Sequence, residues 1–127
     1  MNLPFDPEAG LVAVPARVHG PAGVTVVRLA LDTGASWSMI AWDPLVLLGY
    51  DPAVETARIQ ITTGSSVEFA PPVIVSRLEA LGQQRDRFSV LCHTLPPSAM
   101  VDGVLGLNFF RGQRLVVDFR AGLVSLD

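Results

Sequence analysis

The chain has 127 residues, half of them apolar and 17% charged, with a net charge of −3; that is enough for one hydrophobic core and too apolar for a disordered segment. All nine basic residues are arginine, and with no lysine and no basic run there is no footprint for nucleic acid, no Schiff-base nucleophile and no P-loop. A single cysteine, Cys92, excludes an internal disulfide, and with only two histidines there is no metal-ligand spacing, so neither a metal nor any other cofactor is expected.

In chain order, Leu11 to Val18 and Val24 to Leu31 read as a β-hairpin with the loop His19-Gly20-Pro21-Ala22-Gly23. Asp43-Pro44 reads as an N-cap followed by proline at the first helical position, and Gly49 as the glycine after the helix end, which predicts about two turns. Arg58 to Thr62 alternates polar and apolar side chains, Thr63-Gly64-Ser65-Ser66 follows, and Val67-Glu68-Phe69 completes a second hairpin. Pro72 to Leu81 pairs with Arg87 to Leu95 across Gly82-Gln83-Gln84-Arg85-Asp86. Val101 to Leu105 is a short apolar piece interrupted by Asp102-Gly103. Leu107 to Arg111 reads as a short helix closed by Gly112, and Leu115 to Phe119 with Leu123 to Leu126 as a last hairpin.

Many short strands and one or two short helices predict an all-β barrel or sandwich, with 1-127 as one domain. The sequence leaves residues 1 to 10 open between a leader and a strand of the sheet. The start lacks the basic and apolar regions of a signal peptide, and no apolar run nears the roughly 20 residues that span a bilayer. The expectation is a cytoplasmic protein with no membrane or nucleic-acid partner.

The stretch that carries chemistry is Leu29-Ala30-Leu31-Asp32-Thr33-Gly34-Ala35-Ser36. An apolar strand delivers Asp32 out of the core, Gly34 permits a bend and a close approach, and Thr33 and Ser36 place hydroxyls beside the acid. Taken alone, Asp-Thr-Gly reads first as a turn whose aspartate bonds a backbone amide. About seventy residues later comes Val104-Leu105-Gly106, followed by the short helix.

Together these segments resemble a retropepsin-like aspartic protease, a single-domain relative of pepsin. The likeness lies in Asp32-Thr33-Gly34-Ala35-Ser36 after an apolar strand and in Val104-Leu105-Gly106 before the last helix. It spans roughly residues 11 to 126. It implies a retropepsin-like acid protease barrel, an aspartic endopeptidase activity on a peptide or protein substrate, and Asp32 as catalytic acid. Thr33 and Gly34 would support the catalytic loop. Ala35, Ser36 and Val104 would contact substrate, with Thr63, Gly64 and Ser65 at the tip of a hairpin flap over the peptide. Retroviral members often carry an acid and an arginine where this chain has Ser36 and Leu107, which points to a bacterial or cellular member.

Such hydrolysis needs two carboxylates sharing one proton. Asp102-Gly103 lacks an apolar strand running into it and Asp118-Phe119-Arg120 has no glycine turn, so the second acid is expected from Asp32 of another copy, in a homodimer. The alternative function is a peptide-binding or assembly module on the same fold, non-catalytic or narrowly specific. Two other aspartate chemistries fit worse. A sugar-kinase or actin phosphate loop needs two large lobes, and a phosphoaspartate phosphatase needs a second acid where Gly34 stands.

The remaining reactive side chains have plainer readings. Cys92 and His93 are strand neighbours on opposite faces, so they form no dyad, and a buried cysteine is expected. His19 and Arg85-Asp86-Arg87 read as solvated turn residues, and Tyr50 as a packing residue. Trp37 and Trp42 read as core, with Trp37 alternatively bordering a substrate pocket.

Overall fold

The computed structural model describes residues 1–63 and 66–127; Gly64 and Ser65, at the expected flap tip, lie outside the described residues. The strands are β1 (Asn2–Pro4), β2 (Ala13–Gly20), β3 (Gly23–Leu31), β4 (Met39–Ile40), β5 (Ile59–Thr63), β6 (Ser66–Ala70), β7 (Pro72–Ala80), β8 (Gln83–Cys92), β9 (Gly103–Leu105), β10 (Leu115–Asp118) and β11 (Leu123–Leu126). Two short helices join them, α1 (Trp42–Leu47) and α2 (Leu107–Phe110). Six strands close a barrel in the order β2-β3-β9-β4-β8-β7, flanked by a three-stranded sheet β1-β11-β10 and a separate hairpin β5-β6. The first residues therefore form an edge strand, with Leu3 opposite Val124.

Alternation builds the barrel wall. On β2, Val14, Ala16 and Val18 are buried while Pro15 and Arg17 face out. On β7 the inward set is Val73 and Val75, then Leu78 and Ala80. The phase changes at Ser76 and Arg87, the one rung missing between Pro72 and Ala80, where Arg87 has φ +49°. The amide of Ser76 turns to the Tyr50 hydroxyl instead, at 2.8 Å, and that hydroxyl donates to the His19 carbonyl at 2.6 Å.

Tyr50 thus ties the end of α1 to two strands. Tyr50→Phe removes both bonds, the one to His19 at a partly buried position and the one from Ser76 at an exposed one. It is expected to destabilise the fold by about 1–3 kcal/mol, read as a lower denaturation midpoint at unchanged slope.

Phe109 is fully buried and meets Phe88 and Phe110 edge-on, with centroids 5.8 and 6.0 Å away. The Arg85 guanidinium lies 4.6 Å over its ring and donates to the Phe109 carbonyl and to Gln113. Arg85 is therefore a packing residue rather than a solvated loop end. The reason is the turn. Leu81 and Gly82, at φ +54° and +74°, make a two-residue hairpin, so Gln83 to Asp86 lie in β8 instead of the expected loop.

The first hairpin is tighter than expected in the same way. Gly20 and Gly23 pair directly, which puts His19 in β2 with its Nε2 3.0 Å from Glu79 Oε1. His19 is thus paired, not simply solvated.

Helix α1 starts at Trp42, before the expected Asp43 cap. Its first amide donates to the Thr94 hydroxyl at 3.1 Å, so a side chain from a distant segment replaces the local cap. At the other end Gly49, at φ +93°, and Tyr50 donate to Val46 and Leu45, a full Schellman closure.

Hydrogen bonds from Arg77 to Asp86 and from Arg114 to Asp127 hold both carboxyls below their usual range. A depressed folded value stabilises above the unfolded one and is lost as pH falls through the folded value, so mildly acidic conditions leave both pairs intact. Both are exposed, and each contributes little.

Candidate active site

Strand β3 runs parallel to β9, with Leu31 opposite Leu105. Beyond its last residue the amide of Asp32 donates to the Leu105 carbonyl at 3.0 Å, which extends the ladder by one rung and fixes the acid at the strand end. The chain then turns. The Gly34 amide donates to Asp32 Oδ1 at 3.0 Å and the Ala35 amide to the Asp32 carbonyl at 3.2 Å. Asp32 is thus both the turn aspartate of the plainer reading and the acid presented to a cleft. Its other carboxylate oxygen, Oδ2, makes no hydrogen bond among the described residues.

That cleft has a volume of about 480 Å³. Asp32, Gly34, Ala35 and Ser36 form one side, Met39, Leu91 and Val104 its apolar depth, and Gln60, Ile61 and Thr62 of β5 its cover. Trp37 lines the cleft and also packs against the same apolar cluster, so it belongs to both the core and the cleft wall. Thr33 is exposed at the turn and does not line the cleft. Thr63 ends β5, next to the lining residue Thr62.

A buried network holds the Asp32 loop from behind. Ser38 is fully buried. Its hydroxyl donates to Asn108 Oδ1 at 2.8 Å and accepts from the Gly106 amide at 3.0 Å, while its own amide also donates to Asn108 Oδ1. Asn108 Nδ2 reaches the Ser89 carbonyl at 2.9 Å, and the Leu107 amide donates to the Ala35 carbonyl at 2.8 Å. The loop after Asp32 and the start of α2 are one hydrogen-bonded unit.

A family model for aspartyl protease matches residues 14–109, a span that includes Asp32, the β5-β6 hairpin and Gly106. The chain belongs to the aspartyl protease family.

The fold is retropepsin-like. It superposes on the crystal structure of a retropepsin-like aspartic protease from Rickettsia conorii with a TM-score of 0.73, at 16% identity, covering 99% of this chain and 89% of that one. No curated protein matches the chain significantly. No helix among the described residues is long and apolar enough to cross a membrane.

The other acids weighed as partners for Asp32 are engaged elsewhere. Asp102 Oδ2 accepts from the Arg28 amide at 2.8 Å, and Asp118 Oδ1 accepts from Arg120 and Ala121 in its own turn. Burial pushes the Cys92 thiol up to about 12, so it stays protonated at any pH where a protease works. His93 pairs with Glu68 of the hairpin at 3.3 Å.

Ser38 and Asn108 escaped sequence reasoning as members of the site. Each is an ordinary polar residue beside a motif, and nothing local signals that they meet across 70 residues.

Proposed function

We propose that this aspartyl protease is an endopeptidase that works as a homodimer, with residues 1–127 of each copy acting as one domain. One observation carries the reading: of the described residues lining the cleft, Asp32 alone is an acid. A single carboxylate cannot both take a proton from water and donate one to the scissile carbonyl. A second Asp32 across a two-fold axis supplies the missing group, and two acids about 3 Å apart share one proton because both cannot ionise.

In this reading the ionised Asp32 removes a proton from a water whose oxygen attacks the peptide carbonyl. The protonated Asp32 of the second copy stabilises the developing oxyanion. The C–N bond then breaks as the nitrogen takes a proton from the dyad. In this reading Thr33, exposed and with no side-chain hydrogen bond among the described residues, bonds the loop of the second copy. Gly34, Ala35, Ser36 and Val104 receive the peptide, and the β5-β6 hairpin, with Thr63 at the end of β5, adds strand-like bonds and excludes water.

The dimer is tested by following cleavage of an unfolded protein mixture at mildly acidic pH across enzyme concentration, with sedimentation in parallel. Rate per chain is expected to rise with concentration and saturate where the sedimenting mass doubles. Cleavage by a protein that stays monomeric throughout would sink the shared-dyad reading. A dimer that cuts nothing would favour the peptide-binding module.

A further inference from the structure

The β5-β6 hairpin forms a sheet of its own, paired with no barrel strand. Among the described residues, side chains grip the body: Ala70 is buried, and Ile59 and Ile61 pack on the apolar cluster under the cleft. One further contact is ionic. Glu68 Oε2 lies 3.3 Å from His93 Nε2.

The placement of this pair gives it leverage. Glu68 sits directly opposite Ile61 in the hairpin register, and cross-strand partners share a face, so its carboxylate lies on the side that covers the cleft. His93 is anchored on the body. It follows the buried Cys92, and its amide donates to the Ile40 carbonyl at 3.0 Å. The pair lines a side cavity of about 370 Å³ with Thr94, Leu95 and Pro96, and Leu95 also lines the catalytic cleft. Solvent protons reach the imidazole there, since its side chain is 18% and that of Glu68 48% exposed.

We propose that Glu68 and His93 form a proton-controlled clasp that holds the β5-β6 hairpin over the cleft, which makes both of them positioning residues; this rests on the peptidase reading. An imidazole is the side chain that gains charge on going from neutral to mildly acidic pH, and facing a carboxylate it then forms an ion pair. Once the imidazole gives up its proton, the carboxylate faces a neutral ring and the ionic attraction is lost. No other ionisable side chain lies on β4, β5, β6 or residues 93–96. The adjoining α1, held by Thr94 through the Trp42 amide, carries only the exposed Asp43. The clasp therefore closes in the mildly acidic range that suits a shared-proton dyad, and it couples substrate retention to the same protons.

The test is amide hydrogen exchange of β5 and β6 at pH 5.5 and 7.5, corrected for intrinsic exchange, together with KM and kcat. Wild type is expected to show about two- to five-fold more hairpin protection at pH 5.5, the scale of a partly exposed ion pair. Glu68→Gln should lose that difference and raise KM at pH 5.5 by the same factor at unchanged kcat. His93→Arg, charged at both pH values, should stay protected at pH 7.5. Equal hairpin protection in wild type and Glu68→Gln at both pH values overturns the clasp, whether or not the protein cleaves. The expected exchange pattern without any cleavage overturns the peptidase reading and leaves the clasp as a pH-set cover on a binding cleft.

Discussion

Asp32→Asn is expected to lower cleavage of an unfolded protein mixture at mildly acidic pH by about 10²–10⁴-fold, the usual worth of a positioned acid or base. The substitution is a narrow one. Asparagine keeps a carbonyl oxygen where Asp32 Oδ1 accepts the Gly34 amide, and the Asp32 backbone rung to Leu105 does not involve the side chain. The melting temperature should therefore stay close to that of wild type, which separates lost chemistry from lost fold. What asparagine cannot do is take a proton from water or give one to a carbonyl.

The same variant tests who supplies the second acid. If each active unit holds one Asp32 from each of two copies, the variant should poison wild type by forming mixed dimers. At equal amounts and fixed total concentration, random pairing leaves about one quarter of dimers with two carboxylates. Activity should then fall to about a quarter of the undiluted wild-type value, whereas independent monomers would retain about half. Cleavage by Asp32→Asn at the wild-type rate would remove Asp32 from the mechanism altogether.

The parts of the site legible in the sequence are those set by neighbours. An apolar run ending in Asp32-Thr33-Gly34 gives both the strand and its turn, because strand burial and the Gly34 amide bond are local. Val104 and Leu105 are readable for the same reason, as a buried strand before a glycine. The parts not legible depend on barrel closure. Thr94 reaches the Trp42 amide across 52 residues and Ser38 reaches Asn108 across 70, and no periodicity encodes either meeting.

The turn at Leu81-Gly82 was hidden differently. A leucine at φ +54° is disfavoured by its own backbone, yet Leu81 is only 4% exposed, and burial of its side chain offsets that strain. Tertiary packing overrode the local preference, and four residues expected in a loop became strand.

Gly106→Ala is the second substitution with a large expected effect, and it acts on both fold and site. A Cβ at this position would lie 2.6 Å from the Trp37 carbonyl oxygen and 2.8 Å from that of Ala35. Both are backbone atoms, so no side chain can swing aside. The Ala35 carbonyl accepts the Leu107 amide and the Gly106 amide donates to Ser38, so the contact that must give is the one joining α2 to the Asp32 loop.

Overpacking against fixed backbone costs about 3 kcal/mol or more, enough to lower the melting temperature of a chain of this size by roughly 10 °C. The surviving folded fraction should also be impaired. Moving Ala35 drags the turn that aims Asp32, and a displacement of about 1 Å can cost 10²-fold in rate. Calorimetry and cleavage at a temperature where the variant is still folded measure the two effects separately. A variant of full stability and full activity would mean that the loop after Asp32 is free of α2, contrary to the Ser38–Asn108 network that binds them.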